Sequence, residues 1–296
     1  MSPLPANRLL LLLTALLFST GGAAIKATQL TSWQVAGFRS VIAAAVVALL
    51  LPEARRGWTR HVLLVGCSYA MTLVCFVMAN KATTAANAIY LQSTAPLYVL
   101  VLSPWLLRER IRRHDVMLGA VVALGLALFF IGHQPAVSTA PHPLRGNVLA
   151  AFSGIGWAFT VTGLRWLGRR SDSAATATVV AGNLIAAMVT LPMALPVAHV
   201  RWSDAAVVVY LGVFQIGLAY YFLSRAIRHV PAFETATLLM LEPALNPVWA
   251  WLVHGERPGV LPLAGGALIV GASFVNTWQQ SRAERTASAC SGALQR

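Results

Sequence analysis

Glu242 and Arg39 are the residues best placed to do chemistry, because each is an ionisable group inside a long apolar stretch. Glu242 lies midway through the apolar run 231–253, eleven residues from either end. An acid at that depth costs about 2.5–3.5 kcal/mol on membrane-insertion scales, so it must face protein or water. Three roles are open to it. It can be a proton-coupling carboxylate, a partner for the amine of a substrate, or a structural partner for Arg39, a Trp or an Asn. Helical spacing puts it on one face with Thr235, Asn246 and Trp249. Arg39 sits about six residues, roughly 9 Å, inside its own run. It can snorkel toward the interface beside Trp33, anchor a carboxylate, or pair with Glu242, and a structural pairing is the preferred reading.

Neutral polar and aromatic residues supply the rest of a candidate site. Tyr69, Thr72, Phe76 and Asn80 share a helical face, as do Asn87, Tyr90, Thr94 and Tyr98, and again Ser153, Trp157 and Thr160. Gln92, Asn183 and Gln215 lie deep in other runs. A polar and aromatic stripe can hold the amine and carboxylate of a zwitterion while rings take its side chain. The candidate substrate-binding set is therefore Tyr69, Tyr90, Gln92, Trp157, Asn183, Gln215, Glu242 and Asn246. Each also has a packing role open to it, since Asn, Gln, Ser and Thr hydrogen-bond between membrane helices at about 0.6 kcal/mol each. Gly154 and Gly156 leave space beside Trp157. The seven histidines lie in or near the breaks between runs, which argues against a histidine proton relay. There is no metal-ligand cluster, no Ser-His pair and no phosphate loop, so an enzyme, a metal site and a cofactor are not expected.

These residues need elements to position them, and composition says which. Of 296 residues, 57% are hydrophobic and only 10% charged, with mean hydropathy +0.68. A soluble domain carries about 25% charged residues. Ten apolar runs are legible, at 9–27, 33–51, 61–80, 84–107, 114–132, 145–165, 174–196, 204–226, 231–253 and 259–278. None alternates with period two, so the spans are helices and not barrel strands. The first run reads as a span, not a cleaved leader. Pro96, Pro104, Pro192, Pro196, Pro231, Pro243 and Pro247 offer bends. The polar tail 281–296 is expected to be disordered.

The formal charge of +13 does not form one patch, which argues against nucleic acid. With ten spans, sixteen Lys/Arg fall on the side of the N-terminus and five on the other: Lys26, Lys81, Arg145, Arg201 and Arg257. Positive residues mark the cytoplasmic face, so both termini are expected there. Cys67 and Cys75 are about 12 Å apart along one helix, too far for a disulfide.

The chain also repeats itself. Tyr90-Leu-Gln-Ser-Thr-Ala-Pro96 is followed thirteen residues later by Glu109-Arg110, and Leu-Met-Leu-Glu-Pro243 thirteen residues later by Glu256-Arg257. The offset of 147 also carries Gly119 onto Gly266, and Phe18 corresponds to Trp157 in the other half of each repeat. Five spans per repeat force the second to lie inverted. The expected fold class is thus an all-α integral membrane protein of ten transmembrane helices, built as two inverted five-helix repeats. The repeats cover 1–140 and 141–280. Inverted repeats place a substrate near the midplane between them.

The doubled Pro, twelve residues, Glu-Arg pattern at the ends of spans four and nine resembles the EamA repeat of the drug/metabolite transporter superfamily. Lys26 at the end of span one and Arg39 inside span two fit it as well. The resemblance covers about 8 to 280 and implies a ten-helix carrier of small metabolites, usually an exporter. Leu241 to Pro247, together with Trp157, looks most like the branch that exports aromatic and other neutral amino acids. The small multidrug-resistance relatives carry a proton-coupling Glu in span one; span one here has no acid, so that mechanism does not carry over. Glu109-Arg110 and Glu256-Arg257 are read as structural: helix caps, ion pairs between loops and gate contacts at opposite faces. The expected protein is an exporter of amino acids or similar small amphipathic metabolites, in a bacterial inner membrane. Drugs, nucleosides or sugars are the alternative cargo. The partners are a small-molecule substrate and the lipid bilayer, with protons as an open coupling partner.

Overall fold

The computed structural model describes residues 3–106, 113–131, 135–168, 173–197, 200–226, 229–230, 235 and 238–294. Glu109, Arg110 and Pro231, singled out above, lie outside the described residues.

Apolar sequence in a bilayer must satisfy its own backbone, and the chain does so with helices. In chain order they are α1 (Pro3–Ser19), α2 (Gly21–Ala27), α3 (Ser32–Leu50), α4 (Arg60–Ala82), α5 (Ala85–Gln92), α6 (Ala95–Leu106), α7 (Arg113–Leu128), α8 (Pro143–Gly168), α9 (Ala174–Ala194), α10 (Trp202–Tyr210), α11 (Ala219–Ala226), α12 (Leu241–His254) and α13 (Val260–Leu294). Seven stretches are long and apolar enough to cross a membrane: Ala6–Ala27, Ser32–Leu50, Arg60–Ala82, Ala85–Leu102, Pro143–Leu164, Ala174–Ala194 and Trp202–Ala226. Asp115–Leu128 and Val260–Val275 are shorter apolar helices. The backbone of the polar tail continues α13 to Leu294, where composition predicts disorder. Its Ala, Arg and Glu residues are good helix formers, which is the local reason.

Helix starts follow their caps. Thr31 accepts from the Gln34 backbone N–H at 3.2 Å while the Gln34 side chain accepts from the Thr31 N–H, a reciprocal capping box. Thr59 and Thr84 cap α4 and α5 in the simpler way. Gly255, at φ +67, ends α12 in the left-handed conformation that a side chain disfavours.

Three of these crossings are interrupted near their middles, and a fourth interruption precedes α12. α1 gives way to α2 at Thr20, whose hydroxyl turns back onto the Leu17 carbonyl and meets Tyr210 at 2.8 Å. α5 breaks to α6 at Ser93-Thr94, just before Pro96, with both hydroxyls bonded to carbonyls of the preceding turn. Between α10 and α11 the helix widens to a π-helical stretch, Leu211–Leu218. α12 starts after a turn at Met240, beside Pro243. The centre of the bundle packs α4 against α8 and α9, and α3 against α9. Close approach there depends on small residues: a β-carbon on Gly182 would lie 2.5 Å from the Tyr69 ring. α7 and α13 pack on each other through Gly125 and Gly265. Apolar side chains such as Leu49, Met117, Met188 and Leu252 are exposed on the outside, as a lipid-facing perimeter requires.

Candidate functional site

The four interruptions converge on one cavity. Phe18 comes from the end of α1, Gln92 and Ser93 from the break after α5, Gln215 and Ile216 from the π-helical stretch, and Glu242 and Pro243 from the start of α12. The unbroken α3, α4 and α8 add Arg39, Tyr69, Thr72 and Trp157. The cavity holds about 720 Å³ of space between atoms, open solvent included. Broken helices at mid-membrane free backbone groups and admit polar side chains only where they line such a space.

Its walls are built of charge and rings. Arg39 is 1% exposed, and its Nη2 donates to the Leu73 carbonyl at 3.0 Å. Nε of Arg39 has no hydrogen-bond partner. Glu242, half-buried, lies on the wall of the same cavity. No ion pair within 4.0 Å joins the two; Lys26 and Glu256 pair elsewhere. Around them runs an aromatic arc. Phe18 meets Tyr220 edge-on at 5.3 Å, Tyr220 meets Tyr69 edge-on at 5.9 Å, and Tyr69 leans on Trp157 at 6.5 Å. Gln92 donates to the Ser153 hydroxyl at 2.8 Å, and Ser153 donates to the Thr72 carbonyl at 3.0 Å. Gln215 turns its amide against Gly21 and leaves Oε1 without a partner. A guanidinium, a carboxylate, amide groups and ring faces around one space can together hold a small amphipathic molecule.

Of the residues read as substrate-binding from sequence, Tyr69, Gln92, Trp157, Gln215 and Glu242 meet here, joined by Arg39, whose expected pairing with Glu242 is not formed. Tyr90, Asn183 and Asn246 lie outside the lining. Tyr90 packs on Phe129 at 6.3 Å and covers Gly266 on α13. Asn183 is fully buried and donates to the Val179 carbonyl of its own helix. Asn246, also fully buried, presses against Gly22. Phe18, Ser93 and Tyr220 line the space without having been singled out as lining. Their signal was faint, although Tyr220 follows Gln215 by five residues on the same crossing.

A second polar cluster sits at the end of the bundle away from the N-terminus. Lys26 and Glu256 form an ion pair at 2.9 Å, with side chains 4% and 2% exposed. Lys26 also donates to the carbonyls of Thr83, at 2.7 Å, and Thr139. Glu256 accepts from the Ala85 backbone N–H at 2.9 Å, at the start of α5, where a carboxylate is favoured. Beside it Asn147 accepts from Thr83 and Asn87 and donates to the Phe129 carbonyl. The pair was legible in part. Lys26 and Arg257, the neighbour of Glu256, fall on the same side in the Lys/Arg census, and Glu256 was read as a cap and an ion-pair partner, but its partner was not named.

The fold and cavity define a multi-pass helical membrane protein with a polar, aromatic-walled chamber between broken helices. The chain belongs to the EamA-like transporter family, which matches it twice, over residues 8–131 and 144–278. It is similar to the pseudopaline exporter CntI of Pseudomonas aeruginosa, 29% identical over 90% of this chain and 94% of that one. It also resembles the threonine/homoserine exporter RhtA of Escherichia coli, 28% identical over 68% of this chain and 65% of that one. The uncharacterized transporter YetK of Bacillus subtilis is 27% identical over 81% of this chain and 76% of that one. A solved crystal structure shares the fold at TM-score 0.61 and 20% identity, spanning 95% of this chain and 99% of that one.

Proposed function

We propose that this protein exports small amphipathic metabolites, with aromatic or neutral amino acids as the leading class, by alternating access across a bacterial inner membrane. The observation that carries the reading is that Arg39 and Glu242 lie on one cavity without an ion pair between them. A zwitterion supplies what each lacks: its carboxylate goes to Arg39, its ammonium to Glu242, and its side chain to the arc of Phe18, Tyr220, Tyr69 and Trp157. Two family matches of similar length support ten spans in two inverted repeats, with both termini cytoplasmic as the Lys/Arg census indicates. The broken crossings are the hinges of the conformational change. Protons enter through Glu242 if transport is coupled to them.

A second cargo class, a metabolite of the pseudopaline kind, is favoured by the relative that matches over nearly its whole length. Purified protein in proteoliposomes, assayed with radiolabelled amino acids, tests the first reading. Saturable flux of at least one aromatic or neutral amino acid is expected. A panel with no saturable amino-acid flux overturns that substrate class.

A further inference from the structure

We propose that Lys26 and Glu256 form the latch that shuts the transport path at the end of the bundle away from the N-terminus. The proposal rests on the transport reading above. The pair is almost wholly buried, and its surroundings tie together the helices that line the cavity. Lys26 ends α2, eight residues beyond Phe18. Glu256 follows α12, fourteen residues beyond Glu242. The Ala85 N–H that Glu256 accepts from starts α5, which carries Gln92. The Thr83 carbonyl that Lys26 holds follows α4, which carries Tyr69 and Thr72. The Thr139 carbonyl belongs to the loop that leads into α8, which carries Trp157.

One ion pair thus gathers the ends of four lining crossings and the loop before a fifth element. Opening the path on this side requires those ends to part, and they cannot part while the pair is made. A buried pair is poor glue by itself, because desolvation offsets its attraction, but it is a sharp two-state contact. It either stands complete with its backbone partners or both charges must reach water. Two further contacts join α12 to the first crossing: His254 with the Ala23 carbonyl at 2.8 Å, near the pair, and Trp249 donating to Ser19 at 2.9 Å, nearer mid-membrane. In the sequence, the spacing that carries Phe18 onto Trp157 also carries Lys26 onto Arg165, as the other spacing carries Glu109 onto Glu256. A cation and an acid therefore recur at matching positions of the two repeats, although Glu109 lies outside the described residues.

The test reads access and not flux. Ser93→Cys is placed on the cavity wall in a chain whose Cys67, Cys75 and Cys290 are serine. A membrane-impermeant thiol reagent is then applied to each face of oriented vesicles. With the latch intact, labelling from the latch face is slow. Lys26→Met/Glu256→Gln together removes both charges without leaving either buried alone. It is expected to raise labelling from that face about tenfold or more, by shifting the population toward the open state. Lys26→Arg keeps the pair and is expected to label like the parent. Melting of each variant in detergent is followed alongside. A folded double variant with parental labelling overturns the proposal. So does a double variant that no longer folds, because the pair would then be a structural strut and not a latch. The readout needs no substrate, so an absence of amino-acid flux would overturn the cargo reading while leaving this one standing or falling by itself.

Discussion

The Asn246 carboxamide rests against the backbone of Gly22, so closely that a β-carbon on Gly22 would lie 2.6 Å from Oδ1. Asn246 is fully buried, and neither atom of its amide has a hydrogen-bond partner. The contact joins α2 to α12 directly between the cavity and the Lys26–Glu256 pair. Gly22→Ala should therefore overpack this junction and destabilise the protein by about 1–3 kcal/mol. Adding Asn246→Ala should return much of that loss. A double-mutant cycle of melting in detergent checks it, and strict additivity of the two changes would contradict the contact.

Arg39→Gln is expected to weaken binding of carboxylate-bearing substrates by tenfold or more, about 1.4 kcal/mol. Substrate esters, which have no carboxylate, should lose far less. Scintillation proximity binding with matched acid and ester ligands makes the comparison. Equal losses for both would return Arg39 to its bond with the Leu73 carbonyl as its whole role.

Glu242→Gln keeps the shape of the side chain and removes its titration. The fold should stay intact while the rate of transport, or its dependence on pH, changes. If Glu242 carries protons, the dependence of flux on pH seen in the parent should flatten in the variant. Initial rates in proteoliposomes with clamped pH on both faces measure this. Parental rates at every pH would leave Glu242 a packing residue.

Trp157→Ala removes one end of the aromatic arc. Aromatic substrates should lose about 0.5–1.5 kcal/mol of stacking beyond the lost contact area, and small ones such as threonine much less. Competition by aromatic against small amino acids in the same preparation reads the ratio. An unchanged ratio would show that the arc does not contact the substrate side chain.

Asn147 accepts from Thr83 at 2.8 Å and from Asn87 at 3.1 Å and donates to the Phe129 carbonyl. Asn147→Leu leaves those buried groups short of partners and should cost about 1–3 kcal/mol. Thermal melting reports it, and an unchanged midpoint would mean water replaces the amide.

Depth in the membrane was readable from the sequence, and direction was not. Hydropathy located the runs and put Arg39 and Glu242 far from their ends, where desolvation forbids a lipid-facing charge. Both line the cavity. The face each helix turns inward is another matter, because a helix that is apolar all round has no polar side to orient it. Tyr90 and Tyr69 looked equivalent on that basis. One packs on Phe129 and the other lines the chamber. Tyr220 went unnoticed for the same reason, and Phe18 was marked only as the repeat counterpart of Trp157, not as lining. The breaks at Thr20 and in Leu211–Leu218 carry no proline; the glycines there, Gly21-Gly22 and Gly212 with Gly217, permit a break without fixing where it falls.

By itself, the sequence determined a helical membrane protein with doubled motifs and two ionised residues at depth, because transfer energies act on each residue whatever its neighbours. The tertiary structure alone decided which side chains share one cavity, and that Lys26 meets Glu256 from the opposite end of the chain. Those pairings depend on how the helices pack, and packing between apolar helices is settled by steric fit at places such as Gly22 and Gly182, which no single stretch of sequence contains.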